Sequence, residues 1–526
     1  MRITTLPRYG KGKYALKRAI ERETGRFAII GRPGIGKSVL TGRLVYQYLT
    51  RKLKWFILEY RNYNLLKQAG AEVDPPRPPL PVIVAVNLRQ QVRVWEYAFK
   101  SSGVYNTQYA PRWIIIEPKW KKCNRKIIKK GDNLYNILEK CLTCPLRGRC
   151  DWNNQFKQSA LLYIITHEQL PIIMLSKHFQ FDIIVIDEAD TLFDAFSHEI
   201  PKQKIDALID KLKQMGLEKE AKEIERRIKY FYDYYDELDI YVPKWMYPKA
   251  RLILELTATA PYSKALYEYL TGGFEWYITL DEKESEVSAQ YEEHDYTKKF
   301  RGYILLKENI NLDTIVVYDK INYVKNKDEW VPELANLIIY IVKELGKTVG
   351  VTLPNYKINE EITEILRDKN IQVFSDAEFR TIGDYNKLWQ IYRSYGRKKV
   401  ELVTIAGRFS RGVSMEEKDI IIGTFQRTIN IRLNKKHLDI LEKRSDLIKD
   451  IPRPALSLRQ FFNSAESLQA LFRFNRKPGQ PHIVILFDKR LIKAFETTTL
   501  RYYYNDAQKI EVSTVQELKS VLRSII

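Results

Sequence analysis

Eight consecutive residues, Gly31-Arg32-Pro33-Gly34-Ile35-Gly36-Lys37-Ser38, fit the pattern Gly-x-x-x-x-Gly-Lys-Ser. Glycines let backbone N–H groups close around phosphate oxygens, and a helix start behind them adds its positive dipole end. Lys37 would contact the β- and γ-phosphates of a nucleoside triphosphate, and Ser38 would hold Mg²⁺. Gly31, Gly34, Ile35, Gly36, Lys37, Ser38 and Val39 are therefore the expected phosphate-binding set. A second constellation, Asp187-Glu188-Ala189-Asp190, follows the apolar run FDIIVI. Acids at the carboxyl end of a buried strand point into the ligand crevice of an open α/β sheet. Asp187 can hold Mg²⁺ through its water shell, and Glu188 can position or deprotonate an attacking water. Such acids also suit the first turn of a helix; the phosphate loop upstream favours the catalytic reading.

A third constellation is Cys123-x17-Cys141-x2-Cys144-x5-Cys150, which holds all four cysteines of the chain. Four clustered thiols suit a structural Zn²⁺ or an iron–sulfur cluster, and the spacing leaves both open. Residues 111–160 carry 12 Lys+Arg against 4 Asp+Glu, with Trp113, Trp120 and Trp152 interleaved. Basic side chains can track a phosphate backbone and aromatic rings can stack on bases. The tryptophans could equally form the small core of the module.

These groups need elements to hold them. Arg26–Ile30, Val82–Val86, Leu161–Thr166, Ile183–Asp187 and Leu252–Leu256 read as buried parallel strands. Thr348–Leu353, Val400–Ile405, Ile420–Phe425 and Ile483–Phe487 form a second set. The run SVLTGRLVYQYL after the phosphate loop is helical in pattern, and residues 202–240 read as two helices joined near Gly216. Pro75–Pro81 is a stiff surface connection before a strand. At roughly 100–200 residues per domain, 526 residues suggest three or four units. No apolar run has the length of a membrane span, and the N-terminal residues lack the apolar core of a signal peptide, so a cytoplasmic location is expected. The net charge of +22 favours a nucleic-acid partner over a membrane, although a lysine-rich heat-stable surface explains it equally well.

The phosphate loop, the DEAD box and the later run Gln469-Ala-Leu-Phe-Arg473-Phe-Asn-Arg476 resemble motifs I, II and VI of superfamily 2 helicases. With four cysteines between the first two, the chain is similar to the XPD/DinG iron–sulfur helicases. Thr257-Ala258-Thr259 resembles motif III, Val349–Pro354 motif IV, and Ala406–Ser414, with Gly412, motif V. Asp488-Lys-Arg490 follows what reads as the final strand, as in the family. The resemblance implies that Gln469 and Arg473 face the γ-phosphate, that Arg476 is an arginine finger, and that Thr257, Thr259 and Gly412 couple hydrolysis to strand movement. Residues 469, 473 and 476 would share one helix face. It further implies a [4Fe–4S] cluster on Cys123, Cys141, Cys144 and Cys150, with zinc as the alternative. The chain departs from the family in four places. An upstream adenine-reading glutamine is missing, and the box is DEAD where DEAH is more usual. Arg411 and Ser414 stand where acids are usual, and motif Ia is recognisable only loosely in Asn87–Gln91.

The expected architecture is α/β, with two RecA-like parallel-sheet motor domains. The first spans 1–98, 158–191 and 251–261, interrupted by a cysteine module at 99–157 and a short helical arch at 192–250; the second spans 262–526. Tyr230, Tyr232, Tyr234 and Tyr235 crowd the second arch helix and read as core. The expected activity is ATP hydrolysis coupled to unwinding of tailed or forked duplex DNA, moving 5′ to 3′ on single-stranded DNA. A translocase that does not unwind would use the same residues. A phosphate-loop kinase with a zinc staple would have no use for the motif VI arginines. A binding protein without catalysis would not need Lys37, Asp187, Glu188, Arg473 and Arg476 together.

Overall fold

The computed structural model describes the whole chain except residues 1–9, 23, 33, 88, 131, 133, 147–148, 159, 177–179, 193–199, 237–238, 244–249, 264–265, 267–277, 280–299, 307–312, 322–326, 383–384, 397–398, 406, 408, 410–414, 426–450, 452 and 475–480. The strands β1 (Gly25–Ile30), β2 (Val82–Val86), β3 (Trp113–Ile115), β4 (Leu162–Thr166) and β5 (Phe181–Asp187) open a first sheet. Then β6 (Ile200–Pro201), β7 (Tyr232–Tyr235) and β8 (Ile240–Pro243) form a small antiparallel sheet of their own. The chain returns with β9 (Ala250–Thr257), β10 (Ile278–Thr279) and β11 (Phe300–Leu305), completing the order β10-β11-β1-β9-β5-β2-β4-β3. The second large sheet uses β12 (Thr314–Val317), β13 (Val349–Leu353), β14 (Val373–Ser375), β15 (Val400–Thr404), β16 (Ile420–Gly423), β17 (Ile483–Leu486) and β18 (Gln508–Glu511), in the order β14-β15-β13-β16-β17-β12-β18. Both large sheets pair in parallel throughout, giving the expected two RecA-like α/β domains.

The apolar runs form strands of this kind because both sheet faces are covered. Phe27 and Ile29 of β1 join one core cluster while Ala28 and Ile30 join the one on the opposite face. One charged pair sits inside the first sheet, Arg26 on β1 with the fully buried Glu255 on β9. Removing either partner would strand a buried charge.

Two expectations about the first domain need revision. It does not end at 261, because β11 pairs with β1 from Gly25↔Phe300 to Ile30↔Leu305. The stretch FRGYIL carries too much polarity to stand out as a buried strand, and its partner lies far away in sequence. The cysteine module does not take all of 99–157, since β3 pairs with β4 at the sheet edge. The helix behind the phosphate loop runs past Leu49 to Gln68; its buried residues stop at Thr50, and Trp55 beyond them is 66% exposed.

In the insertion, helices Lys202–Gln214 and Glu218–Phe231 flank Gly216, whose φ of 71° suits glycine. Tyr232, Tyr234 and Tyr235 lie on β7 and not on the helix, because the Tyr232 backbone is already extended. Tyr232 is buried, as read, whereas Tyr234 is exposed. The insertion packs on the cysteine module: Leu138 shares a core with Ile205, Leu208 and Leu212, and Lys211 pairs with Glu139 at 3.0 Å. In the second domain β18 follows β17, so Asp488–Arg490 does not follow the final strand. Among the described residues, no helix is long and apolar enough to cross a membrane.

Candidate nucleotide site and cysteine module

Because the first sheet is parallel, the carboxyl ends of β1, β2, β4, β5 and β9 open on one edge. The loop Gly31–Gly36 leaves β1 there and turns into the helix that begins at Lys37. Gly34 and Gly36 have φ of 82° and 96°, a region L side chains rarely adopt. Gly31 lies so close to the end of β11 that a Cβ would meet the Leu306 carbonyl at 2.8 Å. Lys37 Nζ donates to the Gly31 and Arg32 carbonyls at 2.7 and 3.0 Å, so its ammonium lies inside the loop. Ile35 is buried and anchors the turn, while Val39 and Ser38 are half-buried in the first helical turn.

Ser38 Oγ donates to Asp187 Oδ1 at 3.0 Å, joining the phosphate loop to the acidic box. Trp95 Nε1 donates to the other carboxylate oxygen, also at 3.0 Å. Burial, and then the neighbouring Glu188 charge, push the Asp187 carboxyl up to about 6. Glu188 has a left-handed backbone, with φ of 55°, which a non-glycine residue adopts at a cost. Asn87 Nδ2 donates to its Oε2 at 3.1 Å, and Arg473 Nη2 lies 3.9 Å from its Oε1. His167 lies buried beside this group; burial pulls its ring down to about 4, despite the nearby Glu188 charge.

The second domain reaches this edge through the helix Pro454–Leu471. Gln469 Nε2 donates to Asp190 Oδ2 at 2.5 Å and to Thr259 Oγ1 at 3.0 Å. Thr257 Oγ1 donates to Asp190 Oδ1 at 3.1 Å and accepts the Thr259 N–H at 3.0 Å. Thr499 clasps the same segment, its N–H donating to the Ala260 carbonyl and its hydroxyl to the Ala258 carbonyl. The helix stops at Leu471, so Arg473 sits on a following one-turn 3-10 segment and not on the helix that carries Gln469. Gln469 and Arg473 still reach the acidic box. Arg476, Gly412, Arg411 and Ser414 lie outside the described residues.

Two contributors escaped the sequence reading, and two more stood in its motifs without these partners. Trp95 and Thr499 carried no signal beyond ordinary core types. Asp190 was visible as the last acid of the box, and Asn87 as the first polar residue after VIVAV. Their partners come from distant segments, which no local pattern reveals.

The four cysteines are free thiols lining one cavity of about 30 Å³, together with Lys119, Asn124, Arg125, Ile127, Leu146 and Asn153. Burial raises the Cys141 thiol, and the Lys119 ammonium opposes that shift. Lys119 is itself buried, its Nζ 4.3 Å from the centre of the Trp152 ring. Among the described residues no group of three or more His, Cys, Asp or Glu is arranged to hold a metal ion. The expected cluster therefore has a converging all-thiol donor set but no assembled ligand sphere. Trp152 is fully buried, and Trp113 packs on Tyr46 and Phe99, so both take the core role. Trp120 is 37% exposed.

Fold and site together define a chain of two RecA-like domains, with a phosphate-loop edge on the first touched by side chains of the second. No family model matches the sequence, and no curated protein does. Among solved structures, the chain is similar to S. cerevisiae Dbp5 bound to RNA and ADP BeF3, at 14% identity and TM-score 0.42 over 98% of this chain and 96% of that one. It is also similar to S. tokodaii Xpd4, at 12% identity and TM-score 0.46 over 95% and 98% of the two chains. The DEAD-box helicase Mss116 bound to ssRNA and UDP-BeF is similar at 12% identity and TM-score 0.43, over 97% and 76%.

Proposed function

We propose that this chain is an ATP-driven motor of the superfamily 2 helicase kind, acting on single-stranded DNA and opening tailed or forked duplexes in the 5′ to 3′ direction. The observation that supports it most is the pair of contacts across the two domains: Gln469 on Asp190 and Thr259, and Arg473 facing Glu188. A nucleotide on the loop of the first domain would be felt at once by the second.

In this reading Gly31, Gly34, Ile35, Gly36 and Val39 shape the phosphate cradle, and Lys37 gives up its two carbonyl contacts for the phosphates. Ser38 and Asp187, already 3.0 Å apart, hold Mg²⁺. Glu188 orients the attacking water, with Arg473 and Arg476 meeting charge that develops on the transferred phosphoryl group. Thr257 and Thr259, with Gly412, pass the change in the cleft to the bound strand. The four thiols would hold a [4Fe–4S] cluster, which would staple a basic module against the duplex junction. The all-cysteine donor set suits zinc as well, and a motor that translocates without unwinding would use the same cleft.

The purified chain should hydrolyse ATP faster when single-stranded DNA is added, and Lys37→Ala should lower that rate by about 100-fold or more. Full hydrolysis by the variant would sink the site assignment. Equal unwinding of 3′-tailed and 5′-tailed duplexes would sink the polarity, and equal stimulation by RNA the DNA preference. Iron and sulfide at about four each per chain would support the cluster, whereas one zinc per chain would replace it.

A further inference from the structure

Asn87 is the first residue after β2, the strand that pairs with β5 up to Ala85↔Ile186. The two strands therefore deliver Asn87 and Glu188 side by side, and Asn87 Nδ2 donates to Glu188 Oε2 at 3.1 Å. Glu188 keeps a left-handed backbone, a conformation that persists where the surrounding structure holds it. Its carboxylate meets donors from two directions: Asn87 takes one oxygen, and Arg473 of the second domain lies 3.9 Å from the other. A carboxylate whose lone pairs are engaged by donors is a poorer base and a poorer guide for water.

The segment holding Asn87 leads elsewhere. Two residues on, in the single turn Arg89–Gln91, Arg89 forms an ion pair with Glu117 at the start of the cysteine module. The Arg89 side chain is 46% exposed. An exposed guanidinium matches a phosphate well, so a nucleic-acid strand would compete with the half-buried Glu117 for it. Arg89 and Asn87 stand two positions apart in one segment.

We infer that Asn87 is a positioning residue for the water-directing Glu188, holding its carboxylate back until a nucleic-acid backbone engages Arg89. The inference rests on the proposed motor reading. It gives that reading a physical route from strand binding to hydrolysis: phosphate takes Arg89, the Arg89–Glu117 pair opens, the Asn87 amide withdraws, and Glu188 turns to the attacking water.

The test is steady-state ATP hydrolysis with and without single-stranded DNA. Asn87→Ala should raise the DNA-free kcat about tenfold, the effect of releasing one hydrogen bond to a charged group. The KM for ATP should stay within about twofold, and the ratio of stimulated to basal rate should fall with the rise in basal rate. Asn87→Asp, which keeps the size but loses the donor, should behave alike, and Asn87→Gln, which keeps an amide, should stay nearer the unaltered ratio. Arg89→Ala should need several-fold more DNA for half-maximal stimulation. Equal losses of basal and stimulated rate in Asn87→Ala and Asn87→Asp, or an unchanged ratio, would overturn the inference while leaving the motor reading intact. An unaltered chain with no ATPase activity overturns both.

Discussion

Two buried histidines, one in each large domain, have opposite chemistry. His167, 6% exposed, follows β4 at the edge of the phosphate loop, and burial holds its ring down to about 4. His482, 2% exposed, precedes β17, and there burial is outweighed by hydrogen bonds and charge from Asp313 and Glu417, which lift the ring to about 9. Asp313 also accepts from Tyr503 at 2.6 Å and stays below the usual carboxylate range despite burial. Burial alone does not set the charge of a histidine; the number of carboxylates within hydrogen-bond reach does. The difference also divides the labour. The first sheet's edge holds its acids with side-chain donors such as Ser38, Trp95 and Asn87. The second domain instead ties Asp313, His482, Glu417 and Tyr503 into one network.

The largest effect that could break this contrast is at Glu188. Glu188→Gln should cut DNA-stimulated ATP hydrolysis about 100-fold or more while ATP still binds and the melting temperature barely moves. Comparable loss of binding would mean that the edge is as structural as the second domain. Asp376 is the converse case. It is fully buried and accepts from the Thr404 N–H, the Thr404 hydroxyl at 2.9 Å and Asn359 Nδ2 at 2.7 Å. Asp376→Ala should cost about 3 kcal/mol of stability by stranding those donors, read as a lowered denaturant midpoint. An unchanged midpoint would show that the network is not a structural lock.

The smallest effect is a pH dependence. The folded pKa of His482 lies above its ordinary value of 6.5, so the native state binds the proton more tightly than the unfolded chain. Its stabilisation is fully present below about pH 6.5 and is lost as pH rises through about 9, in total roughly 3 kcal/mol. Denaturation at stepped pH should show that slope in the unaltered chain and a flatter one in His482→Gln. Equal slopes would remove the charged half of the comparison.

Much of the nucleotide edge was legible because its signals are local. All three of the loop's glycines take positive φ, a requirement of the turn itself, and a run such as IIVID is a strand wherever both faces are covered. What escaped was non-local. FRGYIL is a strand only because β1 offers an open edge, and Trp113 left the basic module for the sheet because β4 was there to pair with β3. Arg473 fell off the expected helix face because the helix ends two residues before it, where Phe472 and Phe474 turn inward to the core.

The sequence by itself determined the residue types: a glycine-rich loop ending in Lys37-Ser38, an acidic box behind a buried strand, four thiols within 28 residues, and two sets of parallel strands. Those follow from backbone sterics and apolar periodicity, which act over a few residues. The tertiary structure decided the partners. It placed Asn87 and Arg473 on the two oxygens of Glu188, Gln469 on Asp190, and Arg89 on the cysteine module. Hydrogen bonds and charges act over a few ångströms of space, and only the folded sheet order brings residues hundreds of positions apart within that distance.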